Sequence, residues 1–218
     1  MSRECDAIHV LVRNLERHNF PFSESHIPLN GIYILFEKGE RGHGGERIVR
    51  IGTHTEENQL RSRLKQHFLN ENKDRSIFRK NIGRSLLKQS NDPSLEHWDL
   101  DLTTRKAKDK YSHLIDSEHQ QLIETRVSQY IQGNFSFCVF EVNDKTRRLE
   151  TESRIISTVS WCKDCGPSTT WLGRSSPKQK IVESGLWLVN ELHKTPFNAQ
   201  GVEDFSELIK RKRDQGQL

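Results

Sequence analysis

The most oddly placed ionisable residue in the chain is Glu152. At about 100° per residue, a helix across this region groups Ile155, Ile156 and Val159 on one face, and Glu152 falls in the middle of it. Glu150 falls on the opposite, solvent side. A carboxylate turned toward a core is costly unless it is paired, hydrogen-bonded or bound to metal. Glu152 is therefore a candidate metal ligand or one half of a structural salt bridge. Arg63 and His67 lie four residues apart, bordering the stripe Leu60, Leu64 and Phe68. A cation there is either an active-site group or an arginine snorkelling from the edge of a packed face. Tyr33 stands among aliphatic residues, where an ordinary core tyrosine with a hydroxyl partner is the plain reading. Cys162-x-x-Cys165 is half of a zinc site, with His193 the nearest downstream candidate ligand and no second cysteine pair. A redox role lacks the strand-to-helix context that such motifs have, and the bland alternative is two reduced thiols in a loop.

The elements that must position these groups read as follows. Ala7, Ile8, Leu11, Val12 and Leu15 repeat at helical spacing over 3–18, and residues 19–30 read as a loop. Two β-rich runs, 31–36 and 46–52, flank the turn-forming RGHGG and form a hairpin. Helices are expected at about 56–69, 76–87, 117–132 (ended by Gly133) and 146–161, with a strand at 135–142. The polar stretch 89–112 reads as an insertion or connector. Toward the end, WCKDCGPSTTWLG reads as a loop and Ser176-Pro177 opens a helix to about Ser184. Residues 185–193 are compatible with strand or helix, and 202–213 form a short helix ending in KRKRD. The organisation expected is an N-terminal helix and loop (1–29), a central domain (30–161) with a helical insert at about 70–132, and a C-terminal extension (162–218). The fold class is α/β (α+β), a small antiparallel three-stranded sheet flanked by helices.

Composition narrows the classes. Leu, Ile, Val and Phe make up 56 of 218 residues, enough for a modest core despite a mean hydropathy of −0.79. No apolar run approaches the roughly 18 residues that span a bilayer, and the N-terminus lacks signal-peptide character. Four scattered cysteines make no disulfide framework. A reduced, cytoplasmic protein is expected. Net charge is only +4, yet residues 58–88 hold nine Lys or Arg against Glu71 and Asp74. Such a block suggests a polyanion site or a solvated helix face. The run Lys210–Arg213 reads as a solvated tail or as further phosphate contacts.

In order along the chain stand GIY (31–33), RIG (50–52), RLKQHF (63–68) and ESRII (152–156). The ordered set, on strand, strand, helix and later helix, resembles the signature of the GIY-YIG nuclease family over about residues 30–161. It departs from the family in one place, where Arg50 replaces the tyrosine of YIG. The resemblance implies a metal-dependent DNA endonuclease, with Tyr33, Arg50, Arg63, His67 and Glu152 as catalytic residues. In that reading Glu152 holds Mg²⁺ (or Mn²⁺), and one carboxylate suffices because Mg²⁺ keeps most of its waters. Arg50 and Arg63 contact phosphate, Tyr33 serves as the general base, favoured by nearby cations, and His67 orients Tyr33, relays a proton or donates to phosphate. Lys65, Arg79, Lys80 and Arg84 are the expected DNA contacts. Restriction-type and repair-type roles both fit, and the absence of a separate sequence-reading module disfavours a modular homing enzyme. The other functional class is a non-catalytic nucleic-acid-binding protein on a decayed site. The oligomeric state is open, a dimer among the options.

Overall fold

The computed structural model describes residues 2–210. Its elements in chain order are α1 (Ser2–Arg13), β1 (His18–Asn19), β2 (Gly31–Gly42), β3 (Gly45–Gly52), α2 (Leu60–Phe68), α3 (Ile77–Gln89), α4 (Arg105–Tyr111), α5 (Ser117–Asn134), β4 (Phe135–Glu141), α6 (Lys145–Trp161), α7 (Gln179–Ser184) and α8 (Ala199–Lys210). The sheet runs β1-β4-β2-β3 with every pair antiparallel. It has four strands rather than the expected three. The fourth, β1, is a two-residue edge pairing His18 with Phe137 and Asn19 with Ser136, too short to leave an alternating pattern in the sequence.

Period-two alternation along β2 divides the core into two layers. Ile32, Ile34 and Phe36 join Ile48 and Ile51 against Ile8 and Val12 of α1, Ile155 and Val159 of α6, and Phe205 and Ile209 of α8. Tyr33 and Leu35 face the other way, with Leu60, Leu64 and Phe68 of α2, Phe78 and Ile82 of α3, Ile123 and Val127 of α5, and Trp171 and Trp187. The sheet is thus covered by helices on both faces. Asp144 starts α6 by accepting from the Arg147 N–H at 2.7 Å, and Ser76 starts α3 by accepting from the Arg79 N–H at 3.2 Å. The phase of α6 is therefore set from its first turn.

Several expected boundaries move. The first helix ends at Arg13, and α5 passes through Gly133 to run directly into β4. Within the polar stretch 89–112, Thr104 caps the short helix α4 by accepting from the Ala107 N–H. Residues 185–193 are neither strand nor helix. They cross the open edge of β3 on one backbone bond, Trp187 N–H to the Val49 carbonyl at 2.8 Å. Of the basic run at Lys210–Arg213, all but Lys210 lies outside the described residues.

Candidate active site

Tyr33 sits mid-strand on β2, directly opposite Gly52 of β3. A Cβ at position 52 would overlap the Tyr33 hydroxyl, so the glycine of the RIG triplet is what lets the ring lie flat across the neighbouring strand. Tyr33 is fully enclosed. Its Oη lies 2.8 Å from His67 Nε2 on α2 and accepts from Arg50 Nε at 3.4 Å. His67 Nδ1 faces Ser76 Oγ at 2.7 Å. Since Arg50 can only donate, the phenol proton points to His67 Nε2, which leaves the imidazole proton on Nδ1, directed at Ser76. Burial pushes the His67 pKa well below its ordinary value, and Arg50, Arg63 and Arg79 push it the same way. His67 is a neutral ring with both nitrogens engaged.

Arg50 reaches from β3 to the Trp187 carbonyl and lies 5.1 Å over the Phe78 ring. It forms one wall of a cleft of about 440 Å³. Arg63 and Glu152 line the same cleft, with Asn81, Asn190 and Glu191. Arg63 is braced by Gln66 Oε1 at 3.2 Å and the Arg75 carbonyl at 3.3 Å. Glu152 is half-buried, and its carboxyl accepts a backbone hydrogen bond from Thr53. Burial raises its pKa to about 7, and the charge of Glu191 adds to the rise against the opposing pull of Arg50 and Arg63. Glu150, by contrast, projects outward and pairs with Arg154 at 3.0 Å.

The catalytic set expected from the sequence therefore meets around Arg50, in two tiers. Arg50, Arg63 and Glu152 face the cleft, while Tyr33 and His67 lie behind Arg50. Two larger grooves, one between α6 and α8 and one beside β4, contain none of these five residues.

The expected DNA contacts need correction. Arg79 is fully buried, its guanidinium on Glu124 at 2.8 Å, Ser128 at 3.0 Å and the His67 carbonyl at 3.2 Å. Lys80 is nearly buried against Asp74 at 2.7 Å, and Arg84 is held by Asp99 at 2.6 Å. These three cations are internal braces of α3. Lys65 is half-exposed and paired with Glu24 at 3.2 Å. The cations of the block that do face solvent are Arg75 and Lys88.

Three cleft residues carry no signature in the sequence: Asn190 and Glu191, in the segment assigned to a separate extension, and Asn81. Asn81 Nδ2 is buried without a hydrogen-bond partner, which no sequence pattern announces. Glu191 is held charged, its pKa lowered by Lys194 and Ser153.

The model of the GIY-YIG domain family matches residues 7–215, and the chain belongs to that family. Its members are nucleases, hydrolases that generally depend on a divalent metal. No curated protein and no solved structure matches the chain. Among the described residues, no helix is long and apolar enough to cross a membrane.

Proposed function

We propose that the protein is a magnesium-dependent DNA endonuclease acting in the cleft lined by Arg50, Arg63 and Glu152. The observation that carries this reading is the convergence of two guanidinium groups and an enclosed carboxyl on one cleft, with Tyr33 hydrogen-bonded directly behind Arg50.

A scissile phosphodiester carries its charge on the non-bridging oxygens and gains more as it is attacked. Arg50 and Arg63 supply charged donors for that charge from one wall. Glu152, with Glu191 beside it, offers carboxylate oxygens, the donor type that Mg²⁺ or Mn²⁺ takes. The bound ion supplies electrostatic stabilisation of the phosphate and the leaving oxygen. Glu152 must shed its proton to serve, and a pKa of about 7 puts that event at working pH.

Tyr33, once its own phenol proton has left to solvent past the displaced Arg50, is the proposed acceptor of the proton from the attacking water. Its hydroxyl lies behind Arg50, so Arg50 must swing toward the phosphate before water can reach the oxygen. His67 orients the phenol from the far side. Its depressed pKa and full enclosure favour that role over storing the proton or touching phosphate. The DNA substrate is inferred from the motif set together with the solvent-facing Arg75 and Lys88.

Supercoiled plasmid incubated with the full chain tests the proposal. Nicked and linear products should form with Mg²⁺ and fail to form with EDTA. Retarded but intact plasmid at every metal concentration would point instead to the non-catalytic nucleic-acid-binding reading.

A further inference from the structure

At the opposite end of α6 lies a second cluster that the nuclease chemistry does not use. Cys162 and Cys165 follow the helix, Cys5 comes from α1, and His43 stands at the tip of the β2–β3 hairpin. The three sulfurs and one ring nitrogen all lie within 4.8 Å of one another. We propose that these four residues bind a structural zinc ion.

The spacing is that of a tetrahedral site. Zinc bonds of about 2.3 Å to sulfur and about 2.0–2.1 Å to nitrogen give tetrahedral edges of roughly 3.8 Å between sulfurs and roughly 3.6 Å from sulfur to nitrogen. Cys5 Sγ and Cys165 Sγ are 3.7 Å apart, and Cys162 Sγ and His43 Nε2 are 3.3 Å apart. A disulfide requires sulfurs at about 2.05 Å, and all four cysteines are free. Three thiolates and an imidazole are soft ligands that select zinc over magnesium. A full set of four protein ligands leaves no open position, which is the mark of a structural site.

The surroundings are arranged for His43 to serve. Its other nitrogen, Nδ1, faces the Asp6 carboxylate at 3.4 Å, the outer partner that fixes the tautomer of metal-bound histidines. His43 holds a φ of 50°, a backbone state that side chains other than glycine rarely adopt, and this strain sits at the residue that meets the thiols. The neighbouring Gly42 gives the cysteine loop its room: a Cβ there would stand 2.9 Å from the Cβ of Cys165. His9 also borders the cluster, but its Nδ1 donates to the Cys5 carbonyl at 2.9 Å and its Nε2 accepts from the Ile48 N–H at 3.2 Å. It walls the site and does not ligate. His193, the partner the sequence suggested, is instead bonded to the Ser160 carbonyl at 3.1 Å.

The zinc would clamp α1 and the hairpin tip to the C-terminal end of α6. Glu152 lies ten residues earlier on that helix, about 15 Å away at 1.5 Å per residue, so the ion is separate from the catalytic cleft.

The test is the metal content of the purified full-length protein by mass spectrometry. About one zinc per chain is expected in the parent, in Cys138→Ala, which removes the one cysteine outside the cluster, and in Glu152→Gln. Zinc should fall at least tenfold in Cys162→Ser and in His43→Ala. On the parent itself, alkylation of Cys5, Cys162 and Cys165 should be slow until a chelator strips the ion. Reconstitution with Co²⁺ should give the visible spectrum of a tetrahedral thiolate site. A folded parent with no zinc and freely alkylated thiols would overturn the proposal. So would a Cys5–Cys165 disulfide, or zinc retained in both Cys162→Ser and His43→Ala. Zinc lost from Glu152→Gln would place the ion in the cleft and refute the cluster, whatever the outcome for cleavage.

Discussion

Glu152→Gln should give a protein that is more stable than the parent. Burial is the largest cause of the rise in the Glu152 pKa from 4.5 to about 7. Between those two values the folded chain keeps a proton that the unfolded chain has released. Stability therefore falls as pH rises through that window, and the loss is complete above about pH 7. A rise from 4.5 to about 7, at about 1.4 kcal/mol per pH unit, gives about 3.5 kcal/mol. Water reaching the half-exposed residue through the cleft reduces this to about 2 kcal/mol. Gln keeps the shape and can accept the Thr53 hydrogen bond, but it carries no charge to desolvate. In magnesium-free buffer at pH 8 the variant should melt roughly 4–8 °C above the parent, at 2–4 °C per kcal/mol for a chain of this size. At pH 5 the difference should shrink to about a quarter, because the folded parent is then almost fully protonated at this site and pH 5 lies only about half a unit above the unfolded value. Added Mg²⁺ should raise the melting temperature of the parent and leave the variant unmoved. Thermal melts at the two pH values decide the matter. A variant that melts below the parent at pH 8, or a gap of equal size at both pH values, would refute the assignment of an enclosed, ionisable carboxyl at Glu152.

Three other outcomes follow from the same geometry. Tyr33→Phe should fold and bind DNA but cleave at least about a hundredfold more slowly; an unchanged kcat with only KM altered would reduce Tyr33 to a support for Arg50. Arg79→Ala should cost about 3–5 kcal/mol, since it strands the buried Glu124, whereas Arg75→Ala with Lys88→Ala should leave stability unchanged and flatten the salt dependence of DNA binding by about 0.9 per lost phosphate contact; equal melting temperatures for the Arg79 variant and the parent would dismiss the internal brace. At limiting Mg²⁺ the cleavage rate should rise through about pH 7, and the midpoint should move to lower pH as Mg²⁺ is increased, because proton and ion compete for Glu152; a midpoint independent of Mg²⁺ would remove Glu152 as the ligand.

The features legible in the sequence were those set by local periodicity. The inward phase of Glu152 against the outward Glu150 follows from the apolar positions of α6 alone. The pairing of the GIY and RIG runs as a hairpin was legible too, whereas the register that sets Tyr33 opposite Gly52 was not. What stayed hidden depends on partners far along the chain. The cations of α3 read as a DNA-binding face because Glu124 and Asp99, which neutralise Arg79 and Arg84, lie 45 and 15 residues away. Charge density in one segment says nothing about acids delivered by another. The same holds for Asn190 and Glu191, which reach the cleft in a segment that crosses the β3 edge without a strand or helix of its own. Cys5 is 160 residues from Cys165, so only half of the cysteine cluster showed a pattern, and the nearer His193 drew the eye from His43. The strand β1, two residues long, has no periodicity to read.

The central claim is that phosphodiester cleavage occurs in the cleft of Arg50, Arg63 and Glu152. Plasmid cleavage and gel-shift affinity measured side by side for the parent and Glu152→Gln, each with Mg²⁺, test it most directly. The parent should nick and linearise the plasmid, while the variant should bind DNA with similar affinity and leave it intact. A Glu152→Gln protein that cleaves at a near-parent rate, or a parent that binds without cleaving, would contradict it.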